Sequence, residues 1–317
     1  MRVAILDDIH RAYERTAGVR RLRERSEVRI FAAPFGEPQA LRGFDALVAN
    51  RERTRFTRAL LEQLPELRII AQTGNHAYHI DFAAARERGV IVARASGGFS
   101  TGAAELAIGL AIALMRGILP ADGAVKSGGW PAPLGRELNG RTLGIVGLGH
   151  VGRHVAKLAN AFGMRVLSWS RRPDHGSAAA AGAEPRELDD LLRAADVVSV
   201  HATLGAQTRG LLDARRLGLM KPTAYLINTA RGAIVDEQAL VEALAGGRIA
   251  GAALDVFDIE PLPSGHPLTA LPNVILTPHL GWPTDRKYDD FADAAADVLL
   301  AYLEGRDVPR FAEHHDA

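Results

Sequence analysis

Residues 147–174 read GLGHVGRHVAKLANAFGMRVLSWSRRPD, and the stretch opens on a Gly-x-Gly-x-x-Gly turn at Gly147, Gly149 and Gly152. The apolar run TLGIV precedes the turn. Val151, Val155, Leu158 and Phe162 then recur at helical spacing, and RVLSWS is a second strand-like run. In this setting each glycine has its own task. Gly147 permits a tight turn, Gly149 lets a pyrophosphate approach the backbone, and Gly152 lets the helix pack on the strand. The helix start at His150 and Val151 offers free N–H groups and a favourable dipole to phosphates. The stretch predicts a dinucleotide-binding strand–helix–strand unit.

One part of that unit is exchanged. A site for NAD usually carries an acid at the end of the second strand, about twenty residues after the glycines, for the adenosine ribose. Eighteen residues beyond Gly152 this chain has Ser170, followed by Arg171 and Arg172. Ser170 neither grips the ribose hydroxyls strongly nor repels a 2′-phosphate. The two guanidiniums are planar, permanently charged donors suited to phosphate oxygens. NADP(H) is therefore expected in preference to NAD(H); the alternative is that both arginines simply face solvent.

Outward from this unit, strand-like runs and helical periodicity alternate along almost the whole chain. VAILD, VRIFAA, DALVAN, RIIAQ and VIVAR precede residue 95, while TLGIVG, RVLSWS, VVSVHA, YLINT, AALDVF and VILTP follow residue 140. Apolar strands alternating with helices predict α/β architecture with parallel sheets covered on both faces. About eleven strands exceed a comfortable single twisted sheet, so two doubly wound sheets are expected. The break falls in RASGGFSTG, 94–102, before a long apolar helix; SGGWPAPLGRELNG, 127–140, is a second loop. The tail from Thr284 to Gly305 reads as a helix with Phe291, Ala295, Val298, Leu299 and Tyr302 on one side. It has no strand of its own to cover, which predicts that it returns to the first domain.

Bulk composition narrows the function classes. The 317 residues carry 38 basic and 37 acidic side chains, so no global field recruits nucleic acid or an anionic membrane. The basic segment 11–29 intersperses its arginines with Glu14, Glu24 and Glu27 and lacks an aromatic stacking platform, which predicts a solvated helix face. Cys is absent, which excludes disulfides and thiolate chemistry and fits a reducing interior. The N-terminus has no apolar signal core, and Leu106–Met115 is far short of the ~20 residues a bilayer needs, so a cytoplasmic protein is expected. No metal site is expected, because no histidine pair has ligand spacing with carboxylates attached.

Three later residues each follow a strand-like run: Arg231 in INTARGAIVDEQAL, Glu260 in LDVFDIEPLP and His279 in ILTPHLGWP. In open α/β sheets the ligand crevice lies outside the carboxyl ends of the strands, so all three can converge on one cleft. Reduction of a 2-keto acid needs a cation for the carboxylate, a proton donor for the carbonyl oxygen, and a hydride. Arg231 can bind the carboxylate and polarise the carbonyl through paired hydrogen bonds. His279 can be the acid, and Glu260, hydrogen-bonded to the imidazole, would favour its protonated form. Arg51 and Arg53 follow DALVAN and could reach a second anionic group, although surface placement is the simpler reading.

GLGHVG, INTARGAIVDEQAL, LDVFDIEP and TPHLGW, in this order, resemble the cofactor, arginine, glutamate and histidine segments of the D-isomer-specific 2-hydroxyacid dehydrogenases. ELAIGLAIALMR ending in KSGGW resembles that family's interdomain helix and dimer arm, so the resemblance covers nearly the whole chain. It implies a Rossmann cofactor domain, 99–283, inserted into a discontinuous flavodoxin-like catalytic domain, 1–98 plus 284–317. It implies catalysis by Arg231, Glu260 and His279, cofactor contacts from Thr101, Thr203, Ala230 and Asp255, and a homodimer. Ser-Arg-Arg after the second strand is similar to the NADPH-using reductases of the family.

The chain departs from the family in two places. Its substrate loop commonly reads Thr-Gly-x-Gly-x-Asp-Asn-Ile-Asp and presents N–H groups to the substrate carboxylate. Here it is TGNHAYHID, with Asn75 and His76 as the candidate substrate-binding residues and His76, Tyr78 and His79 in place of Gly, Asp and Asn. Either the pocket is reshaped for an unusual acid, or His76 points away and only its N–H matters. HATLGAQT also differs from the usual His-x-Pro-Leu-Thr around Thr203. The expected activity is hydride transfer between NADP(H) and a small 2-keto acid or D-2-hydroxy acid. The rival is a non-enzymatic dinucleotide sensor, like the transcriptional corepressors that share this fold.

Overall fold

The computed structural model describes residues 1–33, 37–74, 76–98, 101–130 and 134–311. The chain forms two compact units, Met1–Phe99 with Pro283–Ala317, and Ser100–Trp282. The first holds β1 (Arg2–Ile5), β2 (Glu27–Ile30), β3 (Ala46–Ala49), β4 (Ile69–Thr73) and β5 (Ile91–Ala95), all parallel, in the order β2-β1-β3-β4-β5. The second holds β6 (Thr142–Val146), β7 (Arg165–Trp169), β8 (Glu184–Pro185), β9 (Val197–Val200), β10 (Tyr225–Asn228), β11 (Gly251–Leu254) and β12 (Val274–Leu276). Its order is β12-β11-β10-β9-β6-β7-β8, again all parallel. These are the flavodoxin-like and Rossmann orders of doubly wound sheets.

The residues of β3, β4, β9 and β11 are buried without exception, as strands covered on both faces must be. The sequence reading misses β8. Two residues are too few to show a period, and only the pairing with Leu167 and Ser168 makes them a strand.

The helix Asp285–Leu303 starts at Thr284, whose side chain accepts the Lys287 N–H, and buries Phe291, Ala295, Val298 and Leu299. It lies in the first unit against the helix Ala17–Arg23. The approach is so close that a Cβ on Gly18 would stand 2.2 Å from the Ala292 carbonyl oxygen. The Lys287 Nζ, almost wholly buried, donates to the carbonyls of Gly97 and Gly98 at 3.0 and 2.8 Å. Both glycines have φ near +60° to +70°, a conformation only glycine adopts cheaply. One ammonium thus fixes the turn at Gly97 and Gly98.

In the second unit, Gly102–Arg116 buries Ala104, Ala107, Ile108, Leu110, Ala111 and Met115 in the core over β6 and β7. The helix Ile118–Lys126 that follows has no buried residue. Among the described residues, no single helix is long and apolar enough to cross a membrane.

Candidate active site

Arg231, Glu260 and His279 all lie in the second unit, on segments beyond the carboxyl ends of β10, β11 and β12. Asn228, buried at the end of β10, folds the arginine turn. Its Nδ2 donates to the Arg231 carbonyl at 2.9 Å and its Oδ1 accepts the Ala230 N–H at 3.0 Å. Arg231 Nη1 donates to the Ala230 carbonyl at 2.7 Å. The next residue, Gly232, sits so close to the segment after β11 that a Cβ would lie 2.1 Å from the Phe257 carbonyl carbon. A residue without a side chain is what lets the arginine turn and the glutamate segment touch.

Glu260 Oε1 accepts the Phe257 N–H at 3.0 Å, and its Oε2 accepts from His279 Nδ1 at 2.8 Å. Burial pushes the Glu260 carboxyl up, but the bonds from His279 and Phe257 and the charges of His279 and Arg231 hold it below the usual glutamate range. The group is therefore a carboxylate at neutral pH. It accepts a hydrogen bond from Nδ1–H and leaves Nε2 as the ring nitrogen available for proton exchange. Both side chains keep contact with solvent, 29% for His279 and 37% for Glu260.

His279 has φ +55°, a left-handed backbone that histidine adopts only under local constraint. The constraint is Asp255. Its backbone carbonyl accepts the His279 N–H at 3.0 Å. Its carboxylate, with no exposure, accepts from Thr277 Oγ1 at 2.5 Å, the Leu280 N–H at 2.7 Å and the Gly281 N–H at 2.9 Å. A buried charge with this many donors is satisfied. Asp255 therefore anchors the histidine loop from beneath.

The glycine turn has the geometry that a pyrophosphate needs. Gly147 has φ +103°, and a Cβ there would stand 2.4 Å from the Ala202 nitrogen. A Cβ on Gly152 would stand 2.2 Å from the Gly147 carbonyl oxygen, whereas one on Gly149 would meet nothing within 4 Å. The first and third glycines are required by packing, and the second opens the backbone to a ligand. The helix His150–Ala161 begins at Gly149 with no side-chain cap, which leaves its first N–H groups available to an anion. Ser170 Oγ accepts the Leu148 N–H at 3.0 Å, tying the end of β7 to the turn. Arg171 and Arg172 are exposed and make no ion pair among the described residues. Thr101 Oγ1 donates to Glu105 Oε1 at 2.7 Å, and the Thr203 carbonyl accepts from Thr208 Oγ1 at 2.7 Å.

In the first unit Asn75 lies outside the described residues. His79 is almost fully buried, and its Nε2 donates to Gln72 Oε1 at 3.2 Å. The amide orientation of Gln72 is set by three carbonyls around its Nε2: Arg51 at 3.1 Å, Thr73 at 2.8 Å and His76 at 3.1 Å. Its oxygen must then accept, so His79 carries its hydrogen on Nε2. Burial lowers the His79 pKa, and its Nδ1 has no partner, so the ring is neutral. His79 is thus a buried strut of the loop, Tyr78 is largely exposed, and the His76 carbonyl is turned onto Gln72. Arg51 pairs with Glu52 at 3.2 Å, both side chains 17% exposed, and Arg53 Nη1 donates to the Asp7 carbonyl at 2.7 Å. Neither is a plain surface arginine.

Asn228, Gly232 and Gln72 went unnoticed in the sequence. Asn at a strand end is a turn signal, and Gly directly after Arg231 marks a close approach. Nothing in the sequence singles out Gln72, because its partners are backbone carbonyls.

A dinucleotide turn with an Arg, Glu and His group at the same sheet edge defines a nicotinamide-dependent oxidoreductase. The family model described as "D-isomer specific 2-hydroxyacid dehydrogenase, NAD binding domain" matches residues 108–281. A glyoxylate reductase of Aeropyrum pernix is 43% identical over 259 residues, 79% of this chain and 77% of that protein. One of Thermococcus litoralis is 37% identical over 306 residues, 92% of each. The crystal structure of a phosphoglycerate oxidoreductase from Vibrio cholerae superposes with a TM-score of 0.85 at 34% identity, covering 96% of this chain and 99% of that one. The chain belongs to the D-isomer-specific 2-hydroxyacid dehydrogenase family and is an NAD(P)-dependent D-2-hydroxyacid dehydrogenase.

Proposed function

We propose that the protein reduces a small 2-keto acid to the D-2-hydroxy acid with NADPH, using Arg231, Glu260 and His279. The observation that carries this reading is the 2.8 Å hydrogen bond between His279 and Glu260, within electrostatic reach of Arg231. The bound dihydronicotinamide supplies the hydride. Arg231 binds the substrate carboxylate through paired, charge-assisted hydrogen bonds and draws electron density from the neighbouring carbonyl. His279 Nε2–H gives its proton to the carbonyl oxygen as C2 is reduced. Glu260 stays ionised throughout, holds Nδ1–H and stabilises the imidazolium before transfer. In the reverse direction His279 takes the hydroxyl proton.

Support for NADPH comes from Ser170 standing where an acid usually ends the second strand and from the exposed guanidiniums of Arg171 and Arg172. Gly147, Gly149, His150, Val151 and Gly152 would hold the pyrophosphate. Thr101, Thr203, Ala230 and Asp255 are the further cofactor positions carried over from the family, and Asn75 and His76 the substrate positions. Relatives named as glyoxylate reductases favour a two- or three-carbon keto acid. A homodimer is the preferred state, because Ile118, Leu119, Val125, Trp130 and Leu134, on and after a helix with no buried residue, are 47–100% exposed.

The test is a panel of glyoxylate, hydroxypyruvate, pyruvate and phenylpyruvate with NADPH and with NADH. Turnover of at least one acid with a lower Michaelis constant for NADPH is expected. Tight NADPH binding with no turnover of any would overturn the reading.

A further inference from the structure

The helix His150–Ala161 and the short helix His175–Ala180 flank an open groove of about 350 Å³. His150, Arg153, His154 and Lys157 line it from the first helix, and Ser177 from the second. Spacings of three and four put these four bases on one face of the helix. No carboxylate lines the groove, and Arg153 and Lys157 make no ion pair among the described residues. Nothing in the catalytic reading uses them.

The position of the groove says which anion it suits. The two helices are consecutive crossovers, β6 to β7 and β7 to β8, and step in the same direction along the sheet, so they lie on one face of it. At the N-terminal ends of the two helices, the glycine turn and the segment Ser170–Asp174 are tied by the bond from Leu148 N–H to Ser170 Oγ. Arg171 and Arg172 lie within that segment. Asp174, at its end, is spent on the helix start: it accepts the Ser177 N–H at 3.1 Å and the Ser177 hydroxyl at 2.6 Å. The charge of Arg153 acts on Asp174 without forming an ion pair. Arg153 therefore lies within electrostatic reach of the segment's end, and among the described residues no ion pair spends its donors.

We propose that Arg153 is a further ligand of the cofactor's 2′-phosphate, so that the phosphate is gripped from the helix side as well as by Arg171 and Arg172. The inference rests on the NADPH reading above and adds a specificity-determining residue to it. The ligand chemistry is a phosphomonoester dianion, which free inorganic phosphate shares.

Isothermal titration of the full chain with NADPH, NADH, 2′,5′-ADP and 5′-AMP separates the possibilities, using wild type, Arg153→Gln, Arg153→Lys and Arg171→Ala. Loss of one charge-assisted contact is expected to weaken NADPH and 2′,5′-ADP roughly ten- to a hundredfold in Arg153→Gln. NADH and 5′-AMP should be unchanged, which also reports an intact fold, and Arg153→Lys should recover part of the loss. Inorganic phosphate should displace 2′,5′-ADP from the wild type. NADPH affinity lost in Arg171→Ala but unmoved in Arg153→Gln overturns the inference and leaves the cofactor reading standing. Phosphate that binds through Arg153 without displacing 2′,5′-ADP makes the groove a free-anion site and also overturns it. A wild type that prefers NADH and ignores 2′,5′-ADP overturns both.

Discussion

In the proposed mechanism the His279–Glu260 bond divides the labour of one proton transfer between two residues. Glu260 must be ionised to hold Nδ1–H, and its carboxyl lies below the usual glutamate range. A depressed carboxyl keeps its charge as pH falls through that range and loses it only below its own titration. Activity that depends on Glu260 should therefore persist to about the ordinary glutamate value and fall at lower pH. In Glu260→Gln the amide oxygen can still accept from Nδ1, but the charge is gone. We expect turnover to drop roughly tenfold or more and this acid limb to disappear from the pH–rate profile. A Glu260→Gln profile that matches wild type would remove the carboxylate from the chemistry. His201 makes a separate prediction, about stability. Its imidazole is half-buried beside Ser199 Oγ, 2.8 Å away, and loss of hydration pulls it from 6.5 down to about 4. Below pH 6.5 the unfolded chain takes up a proton that the folded ring refuses. Stability is thus full above 6.5 and falls as pH drops toward 4, by about 3 kcal/mol at most. His201→Gln should flatten that slope in urea denaturation measured from pH 7 to 4.5; an unaltered slope would contradict it.

At the scale of elements, function depends on loops brought into register by residues with little chemistry of their own. Gly232 is the clearest case, since any side chain there meets the Phe257 backbone. Gly232→Ala should cost about 1–3 kcal/mol of stability and reduce turnover by separating Arg231 from Glu260. A melting curve and a rate, both unchanged, would show that the contact is slack. The strands were legible because buried parallel strands are continuous apolar runs, and the candidate trio was proposed because each member follows such a run. What escaped the sequence was hydrogen bonding to backbone. Asn228 folds the arginine turn, the Asp255 carboxylate pins the histidine loop, and Gln72 with His79 braces the loop after β4. Their partners are main-chain atoms, which have no residue identity to read. The His79 substitution is a case in point: an oddity in sequence, it is a buried neutral donor in the fold.

Across the whole molecule, two parallel sheets of different strand order share one design rule, with ligand-facing residues beyond the carboxyl ends of the strands. The second unit, Ser100–Trp282, carries the glycine turn, the arginine pair and the candidate trio Arg231, Glu260 and His279. Fold and cofactor class follow from the pattern of runs and glycines. Choice of keto acid does not, because loop conformation is not written in residue identity; Arg51 and Arg53, for example, are engaged with Glu52 and the Asp7 carbonyl. The claim on which everything turns is that His279 is the proton donor. Single-turnover reduction of the best keto acid by enzyme saturated with NADPH tests it, comparing wild type with His279→Ala. The rate should fall by roughly 10²–10⁴ with NADPH affinity unchanged; an equal rate in the two proteins would contradict the assignment.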